Sequence, residues 1–375
     1  MNGSRGALSE MNGRVEGAFS AALARVHVAH GVGRMALLLV ITFAFFAALR
    51  PGIFLNSVNL QNIGIAAPEI GVLALALMLA MLTGGIDLSV VSIANATAIT
   101  VSSLYTHLAA SQGADAAASM TPLLLLAGLA VSALLGAVNG VLISTVGITP
   151  ILATLGTMQV FNGLALVWTG GVTISGAPAA LRSLGSTASA GVPALALVLL
   201  AAAAVVAVLV NRTPIGRKVQ LQGANPVASR YSGIGKHSTL MTTYVTSGLL
   251  AGVAGLMFLA RNPSASADYG SSYVLLVIVI VVLGGTNPNG GSATVLGVLL
   301  AAVTLQVVSS GFTALRLSAY EYAIAQGVIL VGVMVLDQVK FKRRRRRTVP
   351  AALAQEPAPS TLIQRPDSTE WTDGP

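Results

Sequence analysis

The chain has 375 residues, 54% of them hydrophobic and only 9% charged, with 21 basic against 12 acidic side chains and a net charge of +9. Soluble domains carry about a quarter charged residues, so this composition excludes a water-soluble protein, and the basic excess reads as a membrane-orientation signal rather than a nucleic-acid footprint. There is no cysteine, which removes disulfides, thiolate metal sites and cysteine nucleophiles.

The first 33 residues hold Arg5, Arg14 and Arg25 but no continuous apolar run, so no cleavable signal peptide is expected there. A span needs about 20 apolar residues. That rule predicts spans at Arg34–Arg50, Gly64–Thr83, Leu88–His107, Pro122–Ser144 and Pro150–Thr169. After a Ser/Gly/Pro loop it predicts Val192–Val210, then Thr239–Ala260, a short Tyr273–Leu283, Thr294–Phe312 and Tyr320–Leu336. The fold class is therefore an all-α polytopic membrane protein of about ten helices. Residues 1–33 form a basic cytoplasmic segment, 34–337 the membrane domain, and 338–375 a basic, then disordered, cytoplasmic tail. Only Arg50, Arg182, Arg261 and Arg316 fall outside when both termini are placed inside, which is the arrangement the positive-inside rule selects. The run from Lys340 to Arg347 reads as an anchor on the anionic inner leaflet of the bilayer.

Two segments echo each other. TGGIDLS (Thr83–Ser89) and LGGTNPNGG (Leu283–Gly291) each close one apolar run and open another. Paired glycine interruptions of this kind mark transporters built from two related halves with short or broken helices. Gly84, Gly85, Gly284 and Gly285 are the predicted breaks. Asp87, needing a partner inside the membrane, is expected to cap the following helix through the Val90 N–H. Asn287 is expected to act likewise in the second half, with Ser292 capping the span after it.

Between the sixth and seventh spans lies a polar stretch, Asn211–His237, with five basic residues and no acid. Asn225-Pro226 is a helix start, because asparagine caps free N–H groups and proline suits the first helical position. Gly233 is a stop. The helix enclosed, about Pro226 to Ser232, is too short to stand alone and reads as a cytoplasmic docking element.

Among polar residues within the spans, Glu69, Asn95, Asn139, Thr157, Gln159 and Asn162 are the candidates for lining a pathway. Glu69 either meets solute or a partner, or snorkels to water. No predicted span holds Lys or Arg in its interior, which suits a neutral hydroxylated solute better than an anion. Gly136/Gly140 and Gly248/Gly252 have the spacing of close helix contacts. Gly235-Lys236 lacks the remaining residues of a phosphate loop, the four histidines give no metal spacing, and no nucleophile–base set is present. No catalytic residue, metal site or bound cofactor is predicted.

Several of these motifs together resemble one family. TGGIDLS, TPILATLGTMQVFNGLALVWTGG (Thr149–Gly171), SGLLAGVAGLM (Ser247–Met257) and LGGTNPNGGSATVLG (Leu283–Gly297) are similar to bacterial ABC permeases for ribose, xylose, arabinose and related monosaccharides. Within the polar stretch, Arg217, Gly223, Asn225, Ala228, Arg230, Ser232 and Gly233 match the family's coupling pattern. The resemblance implies an inner-membrane permease homo- or heterodimer, a cytoplasmic ATP-binding subunit that carries ATP and Mg, and a periplasmic sugar-binding protein. The short helix would then seat in the ATPase. Val91, Ala224 and Met78 depart from the usual family residues, which bears on the solute. The rival reading is a secondary transporter with Asp87 as its proton or cation site.

Overall fold

In the computed structural model the described residues are 30–189, 192–318, 320–329, 331–332 and 335. The chain divides into two units, residues 1–330 and 331–375. Most of the predicted basic segment 1–33, all of the tail 338–375, and parts of the tenth span lie outside the described residues.

The architecture is helical. α1 is His30–Leu49, α2 Ser57–Leu82, α3 Val90–Gln112, α4 Thr121–Val141 and α5 Pro150–Thr169. α6 is Ala194–Arg212, α7 Pro214–Ala224, α8 Pro226–Tyr231, α9 Lys236–Arg261, α10 Tyr273–Leu283 and α11 Val295–Ala314; residues 320–329 are also helical. Seven of these are long and apolar enough to cross a membrane. α3 has the length, at 23 residues, but is interrupted by Ser, Thr and Asn. α10 has the apolarity, but its 11 residues reach about 16 Å at 1.5 Å per residue, roughly half a hydrocarbon core.

α2 is the axis. The side chain of Asn56 accepts the Val58 N–H at 2.9 Å, starting the helix seven residues before the predicted span, and it continues through Pro68. Every residue from Ala66 to Leu82 is buried, with α6, α9, α10 and α11 packed around it. A helix apolar on all sides belongs at such a centre.

α4 and α9 approach each other closely through the two glycine pairs. A Cβ on Gly136 would lie 2.5 Å from the Tyr244 carbonyl oxygen and 3.1 Å from Gly248 Cα. Where lipid replaces water, such van der Waals contact between small residues replaces the hydrophobic drive for association. The last turn of α4 widens into a π-helix at Leu142–Val146 and ends at Gly147, with φ of 87°.

The polar stretch folds as two short helices, not one. Thr213 caps α7 by accepting the Gly216 N–H at 3.2 Å, and Pro214 occupies the first turn. The same signal recurs at Asn225-Pro226, where Asn225 Oδ1 accepts the N–H groups of Val227 and Ala228 at 3.1 and 3.0 Å. Gly233, at φ of 75°, follows α8. Buried Ser229 donates to Gln222 Oε1 at 3.2 Å and fastens α8 to α7.

Candidate functional site

Polar side chains from three elements surround a cavity of about 260 Å³. α3 contributes Ser92 and Asn95, three residues apart and so on one face. α5 contributes Gln159 and Asn162 by the same spacing, and the segment joining α9 to α10 contributes Asp268 and Ser271. Asn95 is 3% exposed. Its amide nitrogen donates to the carbonyls of Ala267 at 2.7 Å and Tyr269 at 2.9 Å. Those two acceptors fix which end of the amide is nitrogen, and Asn95 Oδ1 is left buried without a partner. Asn162 Oδ1 is likewise unpartnered.

The joining segment is held in shape from several sides. Ser264 and Ala265 pair antiparallel with Ser175 and Ile174, and Asn262 donates to the Tyr269 hydroxyl at 2.9 Å. The rings of Phe258, Tyr269 and Tyr273 stack edge-on or tilted. Beneath them lies an ion pair between Arg261 and Glu69, at 2.5 Å. Glu69 is fully buried, so it does not snorkel to water; it pins the end of α9 to the middle of α2, and the Tyr273 hydroxyl lies 3.5 Å from the same oxygen.

Asn139 and Thr157 stand apart from the cavity and bond to each other. The Thr157 hydroxyl donates to Asn139 Oδ1 at 2.6 Å, Asn139 Nδ2 donates to Ser89 Oγ at 2.7 Å, and Ser89 Oγ donates to Asp87 Oδ1 at 2.6 Å. This chain of donors runs from α5 through α4 to the first helix break. Asp87 also accepts the Ser89 N–H at 3.0 Å. It therefore organises the turn before α3 and does not cap that helix through Val90. Asn287 likewise accepts the Asn289 N–H at 3.0 Å, and the N-cap position of α11 is Thr294, with no side-chain cap bond, so Ser292 is not its cap. The reason is the same in both halves: a tight glycine turn puts the acceptor nearer its own loop than the helix beyond.

The two breaks meet. Gly84 and Gly285 have positive φ, 82° and 90°, while Gly85 packs against Pro150 and the Tyr244 hydroxyl and Gly284 against Val298. The Gly291 N–H donates to the Leu82 carbonyl at 2.9 Å, joining the second break to the end of α2. Gly223, in the last turn of α7, lies against both: a Cβ there would fall on the Leu82 carbonyl oxygen and 2.7 Å from the Gly291 nitrogen. The base of the docking element thus touches both breaks at one point.

Beyond that base, α8 presents Arg230, Val227 and Tyr231, the last two 65% and 89% exposed. They border a groove with Gln222, Pro226 and Lys236. Ala228 and Ser232 are exposed as well, and Arg217 lies on α7. Aromatic and Arg side chains are the usual anchors of a protein interface.

Of the predicted pathway residues, then, Asn95, Gln159 and Asn162 come together, Asn139 and Thr157 form a separate buried pair, and Glu69 is tied to Arg261. Sequence reasoning missed Ser92, Asp268 and Ser271 in the cavity, and Val227 and Tyr231 on the docking face. Ser92 is readable from its three-residue spacing to Asn95. Asp268 carries no such signal, since a loop acid looks the same whether or not it lines a cavity.

A bundle of apolar helices with a cavity lined in part by Ser, Asn, Gln and Asp side chains, and a pair of short exposed helices, has the make-up of a multi-pass membrane protein. A family model described as "Branched-chain amino acid transport system / permease component" matches residues 59–336. The autoinducer 2 import system permease protein LsrC of Enterobacter sp. (strain 638) is 34% identical over 295 residues, 79% of this chain and 83% of the relative. The LsrC protein of Klebsiella pneumoniae is 35% identical over 299 residues, 80% and 84% of the two chains. The ribose import permease protein RbsC of Bacillus subtilis (strain 168) is 32% identical over 289 residues, 76% and 87%. No solved structure matches the chain. The chain belongs to this permease family of ABC importers, as its motifs indicated, and is a transport subunit rather than an enzyme. The ion-coupled carrier centred on Asp87 is not favoured by these relatives, and the hydrogen bonds of Asp87 give it a local structural task instead.

Proposed function

We propose that the chain forms, with a second like or unlike permease chain, the membrane pathway of an ATP-driven importer for a monosaccharide or similar small polyol. ATP and Mg bind to a separate cytoplasmic ATPase and not to this chain. A periplasmic sugar-binding protein delivers the solute. The chain sits in the bacterial inner membrane with both termini and the α7–α8 element cytoplasmic, in keeping with the five basic residues of Asn211–His237.

One observation carries the reading: Gly223, at the base of the docking element, touches the ends of both broken-helix segments. A push on α8 then passes through α7 to both breaks, as a switch between outward- and inward-facing packings requires. The import permeases named for autoinducer 2 and ribose support a small hydroxylated solute, and so does the cavity with its Asn and Gln side chains.

Arg230→Glu reverses the charge on the docking face, and Gly233→Pro places a residue confined to negative φ where φ is 75°. Both variants are expected to insert normally, to lose ATPase co-purification or stimulation, and to abolish solute uptake by cells carrying the whole system. Wild-type uptake in both would remove the docking assignment.

A further inference from the structure

The cavity between α3, α5 and the α9–α10 segment has a one-sided hydrogen-bonding character that emerges when each proton is assigned. Ser92 is buried and spends its hydroxyl proton on the Ser89 carbonyl at 3.0 Å, so only its lone pairs remain. Asn95 spends its amide protons on Ala267 and Tyr269 and keeps a buried, unpartnered Oδ1. Asp268 sits in sequence between the two residues whose carbonyls accept from Asn95 and lines the same cavity; an ionised carboxylate only accepts. The α3 side of the cavity is thus built from acceptors. Opposite it, the amides of Gln159 and Asn162, with the Ser271 hydroxyl, can serve in either direction. No basic side chain lines the cavity among the described residues.

We propose that this cavity is a solute subsite in which Asp268 is the specificity-determining residue, selecting neutral solutes with several hydroxyl donors over anionic ones. The inference rests on the pathway reading above and deepens it. A solute hydroxyl finds a charged acceptor in the exposed Asp268 carboxylate. A phosphorylated or carboxylated solute meets a like charge at Asp268, and nothing in the wall compensates it. The clamp of Asn95 on the carbonyls of both neighbours fixes the backbone at Asp268 before solute arrives, so less ordering remains to be done on binding.

The natural absence of cysteine allows a direct test. The full chain carrying Ser271→Cys is reconstituted in lipid nanodiscs, and the rate of alkylation by iodoacetamide is followed with D-ribose, xylitol or ribose 5-phosphate present. The two neutral polyols are expected to slow alkylation and ribose 5-phosphate not to. A hydrogen bond to a charged group is worth more than one to a neutral group. Adding Asp268→Asn, which keeps a neutral acceptor, should therefore raise the polyol concentration needed for half-protection about fivefold to tenfold. Adding Asp268→Lys should let ribose 5-phosphate protect. Equal protection by ribose 5-phosphate in the Asp268 background, or an unchanged polyol requirement in Asp268→Asn, would overturn the proposal. Import by the assembled transporter after alkylation is read separately. Protection without any block of import keeps the subsite and removes the pathway reading; a block of import with no protection by either polyol does the reverse.

Discussion

Glu69 and Arg261 lie 192 positions apart and are each other's only ionic partner among the described residues. Their burial is unequal: the Glu69 side chain is fully buried, whereas that of Arg261 keeps 33% of its surface exposed. Removing one member of a buried pair leaves an uncompensated charge, at a cost of about 3–5 kcal/mol when both are deep. Arg261→Met strands the deeper charge and is expected to cost on the order of 3 kcal/mol. Glu69→Gln leaves an arginine that can turn to a polar surface and should cost on the order of 1 kcal/mol. Thermal unfolding of the purified chain in one detergent compares them; an equal or reversed order would show that the pair is not arranged this way. That Glu69 either meets solute or a partner, or snorkels to water, was visible in the sequence. Which partner it takes was not, because nothing local to either residue encodes the other.

At the scale of elements, the α4–α9 contact is tightly packed, and its glycine spacing was legible. What the spacing alone left open is the pairing. Gly136 meets Gly248, and Gly252 faces Ser132, so two weak motifs become one strong interface by facing each other. Gly248→Leu would press a side chain against the Ser132 carbonyl and the Gly136 backbone, and overpacking of this sort costs about 1–3 kcal/mol or more. The variant is expected to insert in the membrane yet lose detergent stability, as measured by the temperature at which half the protein aggregates. Unchanged stability would mean that α4 and α9 do not approach this closely. The α7 helix was overlooked for a different reason. Its Thr213-Pro214 start is the same cap-and-proline signal as Asn225-Pro226, but the face it buries consists of Gly216, Val219, Gln222 and Gly223, which gives little apolar periodicity in the sequence.

Across the whole molecule, few contacts join the α7–α8 element to the neighbourhood of the cavity. α8 is fastened to α7 by Ser229 and Gln222, Gly223 rests on both breaks, and the first break continues through Asp87, Ser89 and Asn139 to Thr157. Thr157 sits two residues from Gln159 of the cavity. Gly223→Ala should therefore separate docking from coupling. Its added methyl cannot avoid the Leu82 carbonyl without disturbing the Gly291–Leu82 hydrogen bond. The variant is expected to co-purify with the ATPase, unlike Arg230→Glu, while solute uptake falls at least tenfold. Full uptake with Gly223→Ala would show that the junction of the two breaks does not transmit motion.

Residence in a membrane, the number of apolar runs, the glycine breaks and the start of α8 follow from the sequence by itself. Each depends on composition or on neighbours within a few residues, where propensity, capping and helix length act directly. The tertiary structure alone decided that Asn95 clamps the α9–α10 segment, that Asp268 lines a cavity, that Glu69 takes Arg261, and that the two breaks touch at Gly223. These partners stand far apart along the chain, and only the packing of helices around α2 brings their side chains within bonding distance.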